Sequence, residues 1–138
     1  MIKQIDHIGI AVNSLEDQLP FYRDVLQLNF IGFDEVEEQM VKVAMLKVGD
    51  VKIELLQPTS DASPIAKFIE KKGEGMHHIA YRTDDIDTQI NDLQQKEIAL
   101  IDQEARHGAH GTKIAFIHPK SSGRVLSELC QVEGGQHE

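Results

Sequence analysis

The chain has 138 residues, 14 of them basic and 23 acidic, and a formal net charge of −9. That length fits one domain with a core of ordinary size, and the acidic balance argues against nucleic acid or an anionic membrane as the main partner while leaving room for a small anionic ligand held by local charge. No run of about 18 apolar residues offers a membrane span, and the N-terminus enters a strand pattern with no cleavable leader, so a cytoplasmic protein is expected. Cys130 is the only cysteine; its apolar strand context reads as a small buried hydrophobe rather than a nucleophile.

In chain order, residues 4–12 alternate as a strand, with Ile8, Ile10 and Val12 on one face and His7, Gly9 and Ala11 on the other. Asn13 and Ser14 offer an N-cap, and Leu15, Leu19, Tyr22 and Leu26 fall at helical spacing through about Gln27, with Pro20 a local weak point. Strands are expected around 29–34, 39–48 and 51–57, the last two joined at Gly49-Asp50. This completes a β-α-β-β-β module over about 1–58. A linker over about 59–75 holds a short helix opened by Ser63-Pro64 and closed near Lys72-Gly73.

The second module, about 76–133, repeats the order. A strand over 76–83 leads to the Asp84-Asp85 cap; Ile86, Ile90 and Leu93 mark a helix to about Lys96; strands are expected near 98–102, 112–118 and 124–132. Arg106 to Gly111 reads as a flexible glycine-rich loop and Pro119 to Gly123 as a tight one. The expectation is a single α+β domain of two repeated β-α-β-β-β modules.

The repeat also carries the chemistry. Val51-Lys52-Ile53-Glu54-Leu55-Leu56-Gln57 and Val125-Leu126-Ser127-Glu128-Leu129-Cys130-Gln131 share the frame V-x-x-E-L-x-Q, offset by 74 residues, and His7 and His78 are offset by 71. A near-constant offset marks a duplicated unit, and one of about 70 residues is too long for a solenoid repeat. Each half thus opens on a strand with a histidine and closes on a strand with a glutamate. By strand parity His7, Glu54, His78 and Glu128 each lie opposite mostly apolar neighbours. Neutral imidazole with carboxylate suits a divalent ion such as Zn, Co, Ni, Mn or Fe and leaves positions for water or substrate. A lone strand histidine or glutamate is ordinarily a solvated polar residue; recurrence in the same frame is what favours ligation.

Other residues rank lower. His77 adjoins His78 but points to the opposite face, where packing or hydrogen bonding is the expected role. His107 and His110 lie in the glycine-rich loop within reach of a substrate, a solvated surface histidine being the commoner case. Lys120, Ser121 and Ser122, with Gly123, form a loop of backbone donors, hydroxyls and a positive charge that can hold a carboxylate or phosphate; an ordinary solvated turn has the same composition.

With these residues placed, the chain resembles the vicinal oxygen chelate superfamily, and within it the methylmalonyl-CoA epimerase family. The resemblance runs through Asp6-His7-Ile8-Gly9-Ile10-Ala11-Val12, Ile53-Glu54-Leu55-Leu56, Ser63-Pro64-Ile65-Ala66-Lys67-Phe68, Gly75-Met76-His77-His78-Ile79-Ala80, and His118-Pro119-Lys120-Ser121 leading to Val125-Leu126-Ser127-Glu128-Leu129. It implies a curved mixed sheet around a metal cleft, the ligand set His7, Glu54, His78 and Glu128 on one divalent metal ion (Co, Zn, Ni or Mn), an acyl-CoA thioester substrate, a homodimer, and inversion at the carbon between a thioester and a carboxylate. Inversion requires one group to remove a proton and another to return it on the opposite face. Some members carry a second catalytic glutamate on the strand before that of Glu54, where this chain has Val43. Glu128 is then the first candidate base, and the second is Glu54 or a metal-bound water. The alternative is a glyoxalase I type isomerase, which uses a similar ligand set; the His118-Pro119-Lys120-Ser121 loop favours the epimerase. An Fe(II) extradiol dioxygenase would make Glu54 a superfluous fourth ligand, and a metal-free binding or resistance protein of this fold typically lacks the set.

Overall fold

The computed structural model describes residues 1–108 and 111–132. Its elements are β1 (Ile2–Ala11), α1 (Leu15–Pro20), β2 (Asn29–Val36), β3 (Val41–Val48), β4 (Val51–Pro58), α2 (Pro64–Lys72), β5 (Gly75–Thr83), α3 (Ile86–Gln95), β6 (Arg106–His107), β7 (Thr112–Ile117) and β8 (Ser127–Val132). Two β-α-β-β-β modules therefore flank α2, as the repeat predicts. The chain divides into two compact units, His7–His77 and Met1–Asp6 with His78 onward.

In the first unit β1 pairs parallel with β4, and β2, β3 and β4 follow antiparallel. One sheet face carries Ala44, Leu46 and Leu55, buried with Val12 beneath Leu15 and Leu19 of α1. The other carries Ala11, Val41, Val43, Met45 and Leu56, with Ile65 and Phe68 of α2 against them. In the second unit β5 pairs parallel with β8, and β8, β7 and β6 run antiparallel. Ala115 and Leu129 meet Ile86 and Ile90 of α3 on one face, while Ala80, Ile114 and Cys130 cluster on the other. Cys130 is buried, as its strand context predicts.

The repeated glutamine has a structural use. Gln57 and Gln131 lie on the helix-facing side of β4 and β8, and their Oε1 atoms accept the backbone N–H of Leu15 and of Ile86, the first helical residues of α1 and α3, both at 2.7 Å. Each strand thereby satisfies a donor that its helix leaves orphaned. Ser14, Ser63 and Asp85 cap the three helices through their own side chains. The backbone N–H of Thr88, then its hydroxyl, hold the Asp85 carboxyl below its ordinary value, so this cap is at full strength above the ordinary carboxylate range and is lost as pH falls through the lowered value.

Four expectations are corrected. The helix expected to reach Gln27 stops as regular α-helix at Pro20, whose missing N–H breaks the ladder; a π-helical stretch over Phe21–Val25 follows, with Leu26 N–H bonding the Phe21 carbonyl, and Gln27 ends it at φ 61°. The strand expected near 98–102 is reduced to a single bridge, Leu100 to Ile117. Asp102 explains this: its carboxylate accepts the Phe116 backbone N–H at 2.8 Å, taking the donor a ladder would need. The pairing strand is instead Arg106–His107, inside the stretch read as a flexible loop, and β8 starts at Ser127 rather than at residue 124.

Ser63 is fully buried, accepts the Ile65 N–H at 3.1 Å and donates to the Gln39 carbonyl at 3.2 Å. Ser63→Ala is expected to cost about 1–2 kcal/mol, read as a lower urea midpoint. Gln57→Leu and Gln131→Leu, each leaving a part-buried N–H unpaired, should each cost about 1–3 kcal/mol by the same measurement; a loss in only one of the two would show that the two modules do not use the glutamine alike.

Candidate metal centre

The two parallel ladders share one register. Gly9 of β1 stands opposite Glu54 of β4, and Ala80 of β5 stands opposite Glu128 of β8. In each module the histidine lies two residues before that small residue, so imidazole and carboxylate occupy the same sheet face one pleat apart. The small partner leaves room above it. On the other flank of each glutamate stands a large apolar residue, Met45 opposite Glu54 and Phe116 opposite Glu128. The carboxylate therefore leans toward the histidine.

The distances agree with that reasoning. His7 Nδ1 lies 3.6 Å from Glu54 Oε2, and His78 Nε2 lies 3.0 Å from Glu128 Oε1. All four side chains are buried: His7 at 6%, Glu54 at 7%, His78 at 6% and Glu128 at 3% exposure; His7, His78 and Glu128 are buried groups of metal-binding type. Burying a carboxylate is costly unless it is paired or coordinates a cation. Asp6, also buried, meets this differently: its Oδ1 accepts from Arg82 Nε at 2.9 Å and Nη2 at 2.6 Å. Two buried carboxylates set against imidazole nitrogens are a donor chemistry that fits a divalent ion.

The other candidates separate. His77 faces away from His78 and meets the Phe68 ring of α2 edge-on at 4.9 Å, the packing role expected of it. His78 meets Phe116 in the same manner at 5.7 Å. In the turn after β7, Ser121 Oγ accepts the Ala99 N–H at 3.2 Å and Ser122 Oγ donates to the Val125 carbonyl at 2.5 Å. Both hydroxyls thus hold the loop itself, while Lys120 is exposed. His110 lies outside the described residues. Val43 faces the same side as Glu54, opposite Leu56, and is 2% exposed in the apolar cluster with Met45 and Ala11. No carboxylate stands at that register position.

Sequence reasoning missed the pens around the glutamates. Gly9, Ala80, Met45 and Phe116 could have been found only by aligning the strands in register, which requires the parallel pairing of β1 with β4 and of β5 with β8.

The model of the glyoxalase/bleomycin resistance protein/dioxygenase superfamily matches residues 6–116. The uncharacterized protein YqjC of Bacillus subtilis is 46% identical over 136 residues, spanning 99% of this chain and 97% of its own. The mitochondrial methylmalonyl-CoA epimerase of Mus musculus is 40% identical over 129 residues, 93% of this chain and 72% of its own. Among solved structures, a methylmalonyl-CoA epimerase in complex with methylmalonyl-CoA and NH4+ superposes with a TM-score of 0.94 at 36% identity, covering 100% of both chains. No helix among the described residues is long and apolar enough to cross a membrane. The chain belongs to the methylmalonyl-CoA epimerase family of the glyoxalase/bleomycin resistance protein/dioxygenase, or vicinal oxygen chelate, superfamily.

Proposed function

We propose that His7, Glu54, His78 and Glu128 together hold one divalent cation, and that the protein inverts the α-carbon of methylmalonyl-CoA by proton removal and return. The observation that carries this reading is the duplicated buried His–Glu pair, set by the same register in both modules, in a chain whose relatives include methylmalonyl-CoA epimerases.

The α-proton of a malonyl thioester lies between two carbonyl groups, and its removal places negative charge on the thioester oxygen. A divalent cation, when bound, supplies the Lewis acidity that stabilises this charge. The protein must then move one proton at each face of the carbon. Glu128 is the first acceptor: its Oε1 lies against His78, and its strand partner Ala80 sets no bulky side chain beside the carboxylate. Glu54, in the matching position of the other module, is the second. The apolar surroundings of Val43 support this choice, since they offer no acid at that position.

Turnover of methylmalonyl-CoA, assayed beside the hemithioacetal of methylglyoxal, tests the reaction; conversion of the hemithioacetal alone would replace the reading with a glyoxalase I type isomerase. His78→Ala is expected to abolish metal binding and activity, and His77→Ala to retain the metal, because the two face opposite sides of β5. Metal content of the purified variants decides it, and equal loss in both would refute the assignment. Glu128→Gln should keep measurable metal, since an amide oxygen still coordinates weakly, yet slow α-proton exchange in deuterated water by at least about a hundredfold, as an amide cannot accept the proton. Near-normal exchange, followed by NMR on the metal-loaded variant, would leave Glu128 as a ligand only.

A further inference from the structure

Arg106 is a basic residue of the second module with no role in the proposed reaction. Register places it on the site face of the second module: it pairs with Ile114, which pairs with Cys130, on the side that also carries Phe116 and Glu128. Its guanidinium carbon lies 5.5 Å from the centre of the Phe116 ring, and that ring is the one in edge contact with His78. One phenyl ring therefore separates a fixed positive charge from a histidine of the candidate centre.

The guanidinium is held, yet keeps donors to offer. Its Nε donates to Asp102 Oδ1 at 3.1 Å, and the other Asp102 oxygen accepts the Phe116 N–H. Asp102 thus ties the arginine and its aromatic platform to one anchor. The strand is fixed from beneath as well: a Cβ on Gly108 would stand 2.7 Å from Ile114 Cγ2 and 2.8 Å from Thr112 Oγ1, so the backbone after His107 runs closer to β7 than any side chain permits. With Nε engaged, the two terminal nitrogens present the flat edge that a bidentate oxyanion accepts. The side chain is 43% exposed, open to a ligand arriving from solvent.

We propose that Arg106 binds an oxyanion of the substrate, the free carboxylate of the malonyl unit or a phosphate of the CoA moiety, and so fixes the acyl thioester relative to His78 and Glu128. This rests on the acyl-CoA reading above and goes beyond it by assigning the anion contact. The test measures binding of methylmalonyl-CoA and of methylmalonyl-pantetheine, which lacks every phosphate, to wild type, Arg106→Gln and Arg106→Lys by calorimetry, with turnover of wild type assayed separately. Arg106→Gln should weaken methylmalonyl-CoA binding by about tenfold or more, the range for a hydrogen bond to a charged group, with partial recovery in Arg106→Lys. Loss for both thioesters assigns the carboxylate; loss for methylmalonyl-CoA alone assigns a phosphate. Equal affinity of wild type and Arg106→Gln for both ligands overturns the proposal, as does a wild type that binds neither. A wild type that binds methylmalonyl-CoA without epimerising it refutes the proposed reaction while the arginine comparison still stands. Unfolding midpoints of the three proteins should agree closely, because an exposed ion pair contributes little to stability; a collapse of Arg106→Gln that Arg106→Lys does not share would make the residue structural and overturn the proposal too.

Discussion

The register of a parallel strand pair is the constraint on which the candidate centre depends. A shift of one residue between β1 and β4, or between β5 and β8, would turn a histidine or a glutamate to the helix-facing side of its sheet. Both registers are held by burial on two sides. Leu55 and Leu129 are locked under α1 and α3, while Leu56 and Cys130 are locked into the clusters on the opposite face. The geometry of the candidate ligands is therefore enforced by apolar packing of the residues that flank them, and a substitution at Leu55 or Leu129 would act on the candidate centre through the strand it holds.

The three acids buried among the described residues show how one fold treats the same problem in two ways. Asp6 is neutralised by Arg82 within hydrogen-bonding distance, a pair whose breakage on one side typically costs about 3–5 kcal/mol because it strands a buried charge. Glu54 and Glu128 lie against imidazoles instead. An imidazole is a weaker and conditional counter-charge than a guanidinium, and it is also a ligand. The fold uses the permanent ion pair where a charge has only to be buried, and the imidazole–carboxylate pair where the same atoms can turn to a cation.

Much of this was legible in the sequence, for physical reasons. Period-two alternation with a buried helix-side face set the parity of His7, Glu54, His78 and Glu128, and that parity held because each strand is pinned by large apolar residues on a known side. His77 was separable from His78 by the same rule, and it does pack on Phe68. What could not be read was any feature set by a competition between local bonds. Pro20 was visible as a weak point, but not the widened turn that follows it. The strand near 98–102 has good β-forming residues, Ile98, Leu100 and Ile101, and lost its ladder to one carboxylate, Asp102, that takes the Phe116 donor. Pairing then moved to Arg106–His107, in glycine-rich sequence that carries no strand signal of its own.

The repeated frame V-x-x-E-L-x-Q combines three separate tasks on alternating positions, which limits what repetition by itself can reveal. Its leucine serves the core and its glutamine serves the helix start; only its glutamate is aimed at the candidate centre. Residues that recur across a duplication are therefore those any copy of the module needs, whether for folding or for ligation, and the substrate-specific ones are expected where the copies differ. They differ most in their second strand, eight residues long in β2 and two in β6, and at the residue beside each glutamate, Met45 in one module and Phe116 in the other. An aromatic ring gives a guanidinium a face to lie on that a thioether does not. The short strand and the ring that carries it are thus the part of the second module that departs furthest from its twin, and they bring a cation to the ring that stands opposite Glu128, the residue proposed to take the proton first.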